Sequence, residues 1–140
     1  MRLDHDDALR RLTAHDHAVL CTVHPERGVD AVPVVYAVDH ALVGIPVDRV
    51  KPKTASRLQR ERNLEADPRA TLLAEQWHRD DWTRLWWVRA ELEWVAAPDP
   101  RHLECLADLL AARYVQYRDH PFDRLLVLRI VDVTGWSGDR

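Results

Sequence analysis

The chain has 140 residues, 31% of them charged and 46% apolar, with a net charge of −3. That length suits one domain, residues 1–140, with a single core. Its charge excludes binding of nucleic acid through the overall field, and its apolar runs fall far short of the ~20 residues that span a bilayer.

Asp4 to about His15 reads as a short helix with Leu9 and Leu12 on one face. The opening MRLDHDDALRRL is acidic and amphipathic, without the apolar stretch of a signal peptide, so the expected compartment is the cytoplasm. HAVLCTV (17–23) reads as a strand, HPERG as a turn ending at Gly28, and VDAVPVVYAV (29–38) as a second strand edged by Pro33. Asp39-His40 turns the chain into ALVGIPV (41–47), and the three segments are expected to form a meander. Thr54 can cap a helix running to about Ala66, where Asp67-Pro68 ends it. RATLLAEQ (69–76) and RLWWVRAELEWVAA (84–97) read as strands. Asp99-Pro100 opens a helix with Leu103, Leu106, Ala107, Leu110, Tyr114 and Tyr117 on one stripe. DRLLVLRIVDV (123–133) is the last strand and TGWSGDR the tail. Six strands joined mostly as neighbours, with helices at the seams, predict a mainly β fold, a small antiparallel barrel.

The chemistry is narrowed by absences. Four glycines leave room for neither GxGxxG nor a P-loop. There is no GxSxG elbow and no HExxH. His15-Asp16-His17 is the closest histidine pair, but it has no third ligand nearby, so no metal is expected. Cys21 and Cys105 have no CxxC spacing and read as reduced, buried thiols.

One segment stands out. RVKPKTASRLQRER (49–62) carries six cations against one glutamate, and it contains both lysines of a chain that otherwise uses arginine. If Lys51 and Lys53 precede a helix that Thr54 opens, two ammonium groups, a hydroxyl and the free N–H groups of a first helical turn form a phosphate site. The same run read as a bland charged helix would simply be solvated.

In HAVLCTV…GVDAVPVVYAVD…LVGIPVD…VKPKT, then NLEADPRATLLAE, DDWTRLWWVRAELEW and the terminal VTGW, the chain resembles the split β-barrel family of pyridoxamine 5′-phosphate oxidase-like flavoproteins. Within it, the closer likeness is to an actinobacterial branch of coenzyme F420-dependent enzymes. The resemblance implies a six-stranded antiparallel split barrel and a homodimer with the cofactor in a groove at the subunit interface. It implies that Lys51, Lys53 and Thr54 hold the cofactor phosphate. Pro33, Val34 and Val35 on one strand, and Pro46, Val47 and Asp48 on another, would line the ring and its side chain. Trp82 and Trp86 would approach the ring or wall a small-molecule pocket, and Arg57, with Arg60 and Arg62, would meet a glutamyl tail or solvent. The implied activity is hydride transfer between reduced F420 and a small electron-poor acceptor. An FMN-dependent oxidase or reductase, or a non-catalytic flavin-, deazaflavin- or haem-binding protein, are the alternatives. Six cations exceed what one phosphate requires, which leans towards F420. No acid–base residue is obligatory, and Tyr36 or a water is a candidate proton donor.

Overall fold

The computed structural model describes residues 1–48, 57–119 and 122–139. Helix α1 (His5–Ala14) is capped by the Asp4 carboxylate, which accepts the Asp7 N–H at 2.8 Å. Strands β1 (Ala18–His24) and β2 (Gly28–Val34) follow, then β3 (Ala37–Asp39), β4 (Leu42–Asp48) and the short helix α2 (Gln59–Ala66). Strand β5 (Arg69–Gln76), a 3-10 turn (Trp82–Arg84), β6 (Trp86–Trp94), α3 (Pro100–Arg113), a second 3-10 turn (Val115–Tyr117) and β7 (Phe122–Ser137) complete the chain.

All seven strands form one antiparallel sheet in the order β2-β1-β5-β6-β7-β4-β3. Two expectations are corrected here. The segment 29–38 is not one strand: its two halves, β2 and β3, lie on opposite edges of the sheet, so β2 and β4 do not pair and no meander forms. The 134–137 tail belongs to β7, where Trp136 sits opposite Trp87. Gly135 makes that extension possible, because a Cβ there would stand 2.9 Å from the Trp87 carbonyl and 3.0 Å from Leu3. Gly28 takes φ +93° at the β1–β2 turn, a conformation that favours glycine.

Only Val35 and Tyr36 separate β2 from β3. Four consecutive Cα atoms reach about 11 Å at most, so the two sheet edges must meet at that link. The sheet therefore curls on itself without closing, leaving a seam between β2 and β4 below the last β3–β4 pair, Ala37 and Gly44.

Inside the curl, the inward residues of β1, β5 and β6 (Leu20, Leu72, Val88 and Ala90 among them) pack with Val43, Ile45, Val47 and Leu128, all buried. Helix α1 closes one side through Ala8 and Leu12. Its last carbonyl region is tied to the link: the Tyr36 hydroxyl, fully buried, donates to the Leu12 carbonyl at 2.5 Å. A second cluster, with Leu106 and Leu110 of α3 at its centre, packs outside the curl against Ala37 and Val127.

The cysteines depart from expectation. Alternation along β1 sends Ala18, Leu20 and Thr22 inward, so Cys21 faces out and is half-buried, while Cys105 on α3 is exposed. Both are free thiols, and burial pushes the Cys21 thiol pKa up.

Candidate functional site

A cleft of about 380 Å³ opens where the two lips of the seam diverge. Pro33, Val34 and Val35 line it from the β2 side, Pro46 and Asp48 from β4, and Arg60, His17 and Tyr117 complete the wall. Both prolines suit this place. Pro33 lies on the outer edge strand, and Pro46 lies beyond the last β3–β4 pair, so neither removes a donor from a ladder on the seam side. The result is an apolar slot between two unpaired strand edges.

Polar groups converge at one end. A register shift between Val47 and Asp48 takes one extra β7 residue, Asp123, into the pairing and brings Asp48 to the exposed surface at the strand end. The Tyr117 hydroxyl donates to Asp48 Oδ1 at 2.8 Å. Burial, and then that carboxylate, push the Tyr117 pKa up to about 12, so its proton is retained across the physiological range.

Arg60 supplies the opposite charge. Its Nε is buried and has no hydrogen-bond partner among the described residues. Burial lowers its pKa, with Glu61 and Asp48 acting in the other direction. A buried donor without an acceptor is costly, and the Arg60 side chain that carries it lines the slot.

The expected site residues divide into three groups. Pro33, Val34, Val35, Pro46 and Asp48 come together in the cleft. Val47, Arg57, Trp82 and Trp86 do not. Val47 is fully buried on the inner face, and Arg57 is ion-paired with Glu65. Trp82 is 67% exposed beside Trp77, at 6.0 Å between ring centroids. Trp86 lies in the core, with His15 edge-on at 4.9 Å and the Arg11 guanidinium 5.6 Å from its ring centre. Lys51, Lys53 and Thr54 lie outside the described residues.

The expected helix start at Thr54 is corrected. Leu58 has extended backbone angles, and its N–H donates to the Glu61 carboxylate at 3.0 Å, so α2 begins at Gln59. Tyr36 is also removed as a proton donor, because its hydroxyl is buried and committed to Leu12. His15 is not a solvated histidine: it packs on Trp86, and burial, then His17, lower its pKa. Among the described residues, no group of three His, Cys, Asp or Glu side chains could hold a metal ion, and no helix is long and apolar enough to cross a membrane. Sequence reasoning missed His17 and Tyr117 as cleft residues. The helix stops at Arg113, and from the following 3-10 turn Tyr117 still packs against the Leu106–Leu110 cluster, as its place on the α3 stripe predicts, while its hydroxyl reaches Asp48.

No protein-family model and no curated protein matches the chain. Solved structures do. An FAD-binding protein from Mesorhizobium loti superposes with a TM-score of 0.71 at 15% identity, over 96% of this chain and 93% of the other. An FMN-binding protein from Syntrophomonas wolfei gives 0.68 at 13% identity, over 95% and 88%. A pyridoxamine 5′-phosphate oxidase candidate from Corynebacterium glutamicum gives 0.58 at 16% identity, over 98% of both chains. The chain shares the split-barrel fold of these solved proteins. As in the sequence-based expectation the sheet is antiparallel, open and flanked by helices, with seven strands in place of six because the 29–38 segment divides.

Proposed function

We propose that the seam cleft holds the ring of a flavin-type cofactor and that the protein is an F420-dependent oxidoreductase acting on a small electron-poor acceptor. The observation that carries this reading is the cationic Arg60 side chain, its Nε buried without a partner, on the wall of an apolar slot formed by Pro33–Val35 and Pro46. The slot suits a flat ring: its volume is near the lower end of the roughly 300–1,000 Å³ typical of ligand sites. The cation-rich 49–62 segment supports a ligand with more negative charge than one phosphate, which favours F420 over FMN. The solved proteins of the same fold described as FAD- and FMN-binding support a flavin-type ligand in general.

The bound cofactor would supply the hydride. The chain's part is to flank the ring with apolar walls, exclude water and offer polar groups at the rim. Arg60 offers an N–H to an oxygen of the ring or its chain. Tyr117 and His17 are the proton-bearing side chains of the cleft, and Tyr117 stays protonated, so it acts as a donor rather than a base. Lys51, Lys53 and Thr54 are the phosphate ligands in this proposal on the strength of the family resemblance, because α2 begins at Gln59 and its first turn does not follow Thr54.

The proposal includes a homodimer. The outer sheet face carries a groove of about 530 Å³ lined by Cys21, Val23, Val29, Thr71 and Val131, with Val29 65% and Val131 54% exposed. A second copy of the chain would cover that face. Light scattering should then give twice the 16.3 kDa chain mass, and a monomer that binds cofactor would overturn the dimer.

The deciding experiment is titration of the protein with F420 and with FMN, followed by tryptophan fluorescence. Saturable quenching by F420 at micromolar concentration, with weaker response to FMN, supports the reading. Tighter FMN binding would replace F420 by FMN, and no response to either would end it.

A further inference from the structure

Helix α2 is eight residues long and only weakly amphipathic, yet three of its residues are buried, and two of those are polar. Glu61 and Asn63 account for this. On one side, the Arg124 guanidinium donates to both Glu61 oxygens, with Nε to Oε2 at 2.8 Å. Arg124 is the β7 residue opposite Val47 of β4, so this bond ties α2 to the strand that carries the β4 lip. On the other side, Asn63 Nδ2 donates to Thr22 Oγ1 at 3.0 Å and to Asp30 Oδ2 at 2.8 Å. Thr22 and Asp30 are paired across β1 and β2, so these bonds reach the other lip. Gln59 holds the remaining Asn63 oxygen at 2.9 Å. Between the two anchors, Arg60 is directed into the cleft.

A helix this short would not hold its place by its own propensity, and the two strand edges share no ladder hydrogen bonds. We infer that α2 is a strap across the open seam: Glu61–Arg124 and Asn63–Thr22/Asp30 fix the distance between the lips and aim Arg60 at the ligand. Glu61 and Asn63 are thus positioning residues. The part of the inference that concerns Arg60 rests on the cofactor reading above, while the part that concerns the lips does not.

The test separates the two. In a chain with Cys21→Ser and Cys105→Ser, spin labels are placed at Ala31→Cys on β2 and at Val115→Cys in the 3-10 turn that carries Tyr117 to the cleft, both exposed. Distance distributions are compared for Asn63→Leu, for the milder Glu61→Gln, and for Val88→Ala, a core change away from α2. Both strap variants should lengthen and broaden the distribution by several ångströms, and Val88→Ala should leave it unchanged. An unchanged distribution in the strap variants, or equal broadening in Val88→Ala, overturns the strap.

In parallel, F420 and FMN are titrated into the same variants. Each strap variant should weaken binding about tenfold, but add less than twofold in an Arg60→Met background, because the helix acts through Arg60. Full additivity with Arg60→Met overturns the positioning role. If the parent binds neither probe, the cofactor reading fails and the distance measurement alone decides.

Discussion

The centre of the sheet and its seam are held by different forces. From β5 through β6 to β7 the strands run in long register, eight pairs between β5 and β6, and their inner faces are apolar and fully buried. At the seam the strands do not pair, and prolines occupy both lips. There, a salt bridge, a buried amide and one short helix take the place of the ladder. Hydrogen-bonded strands fix their spacing at about 4.8 Å and leave no room for a ligand. Side-chain anchors hold the lips further apart, and that gap is the cleft.

The contrast can be broken from the centre. Leu72→Ala, at a fully buried position, should cost roughly 2–5 kcal/mol of stability in urea unfolding while the folded fraction keeps its affinity for F420. A loss of affinity matching the loss of stability would mean that centre and seam are not separable.

The Lys51→Ala/Lys53→Ala double variant should do the reverse. Two charge-assisted contacts of roughly 1.5–3 kcal/mol each predict an affinity at least about a hundredfold weaker, with an unchanged unfolding midpoint. Affinity equal to the parent's would remove the lysines from the site.

Arg60→Met sharpens the comparison further. F420 binding should weaken about tenfold or more, yet the ligand-free protein should unfold at the same or a slightly higher denaturant concentration, because a partly buried cation whose Nε has no hydrogen-bond partner is lost. A clearly lower midpoint would show that Arg60 supports the fold.

The seam should also fail first in acid. Burial raises the Glu61 pKa, but Arg124 and the Leu58 N–H more than offset this, and the carboxyl titrates below its ordinary value. A depressed folded pKa contributes stability above the unfolded value of about 4.3, and that contribution is lost as the pH falls through the folded pKa. Broadening of the Ala31–Val115 label distance should therefore begin below about pH 4, and be absent in that range from Glu61→Gln, which is already open.

The centre of this fold was legible in the sequence because its signals are local. RATLLAEQ alternates in and out as written, and Asp99-Pro100 opens α3 where expected. The seam was less legible, because no local pattern marks it. VDAVPVVYAV reads as one continuous strand, since β-branched residues favour extended backbone on both sides of the break. What divides it is the distant docking of Tyr36 under Leu12. The apolar lining of the site, Pro33–Val35 and Pro46, came from family resemblance and is brought together in space. Tyr117 reaches the site from 69 residues beyond Asp48, and periodicity cannot express that distance.

The two-residue link also limits how the molecule can deform. At Val35–Tyr36 the lips are joined covalently, so they cannot part there by more than the chain's own reach. At the α2 end they are joined by side chains alone. Any opening must then be angular, with its pivot at the link and its greatest travel beside Asp30 and Arg124. Such a motion resembles a pair of tweezers joined at the heel. A ligand entering from the α2 side would meet the wide end first, and the narrow end, at Val34 and Val35, would grip last.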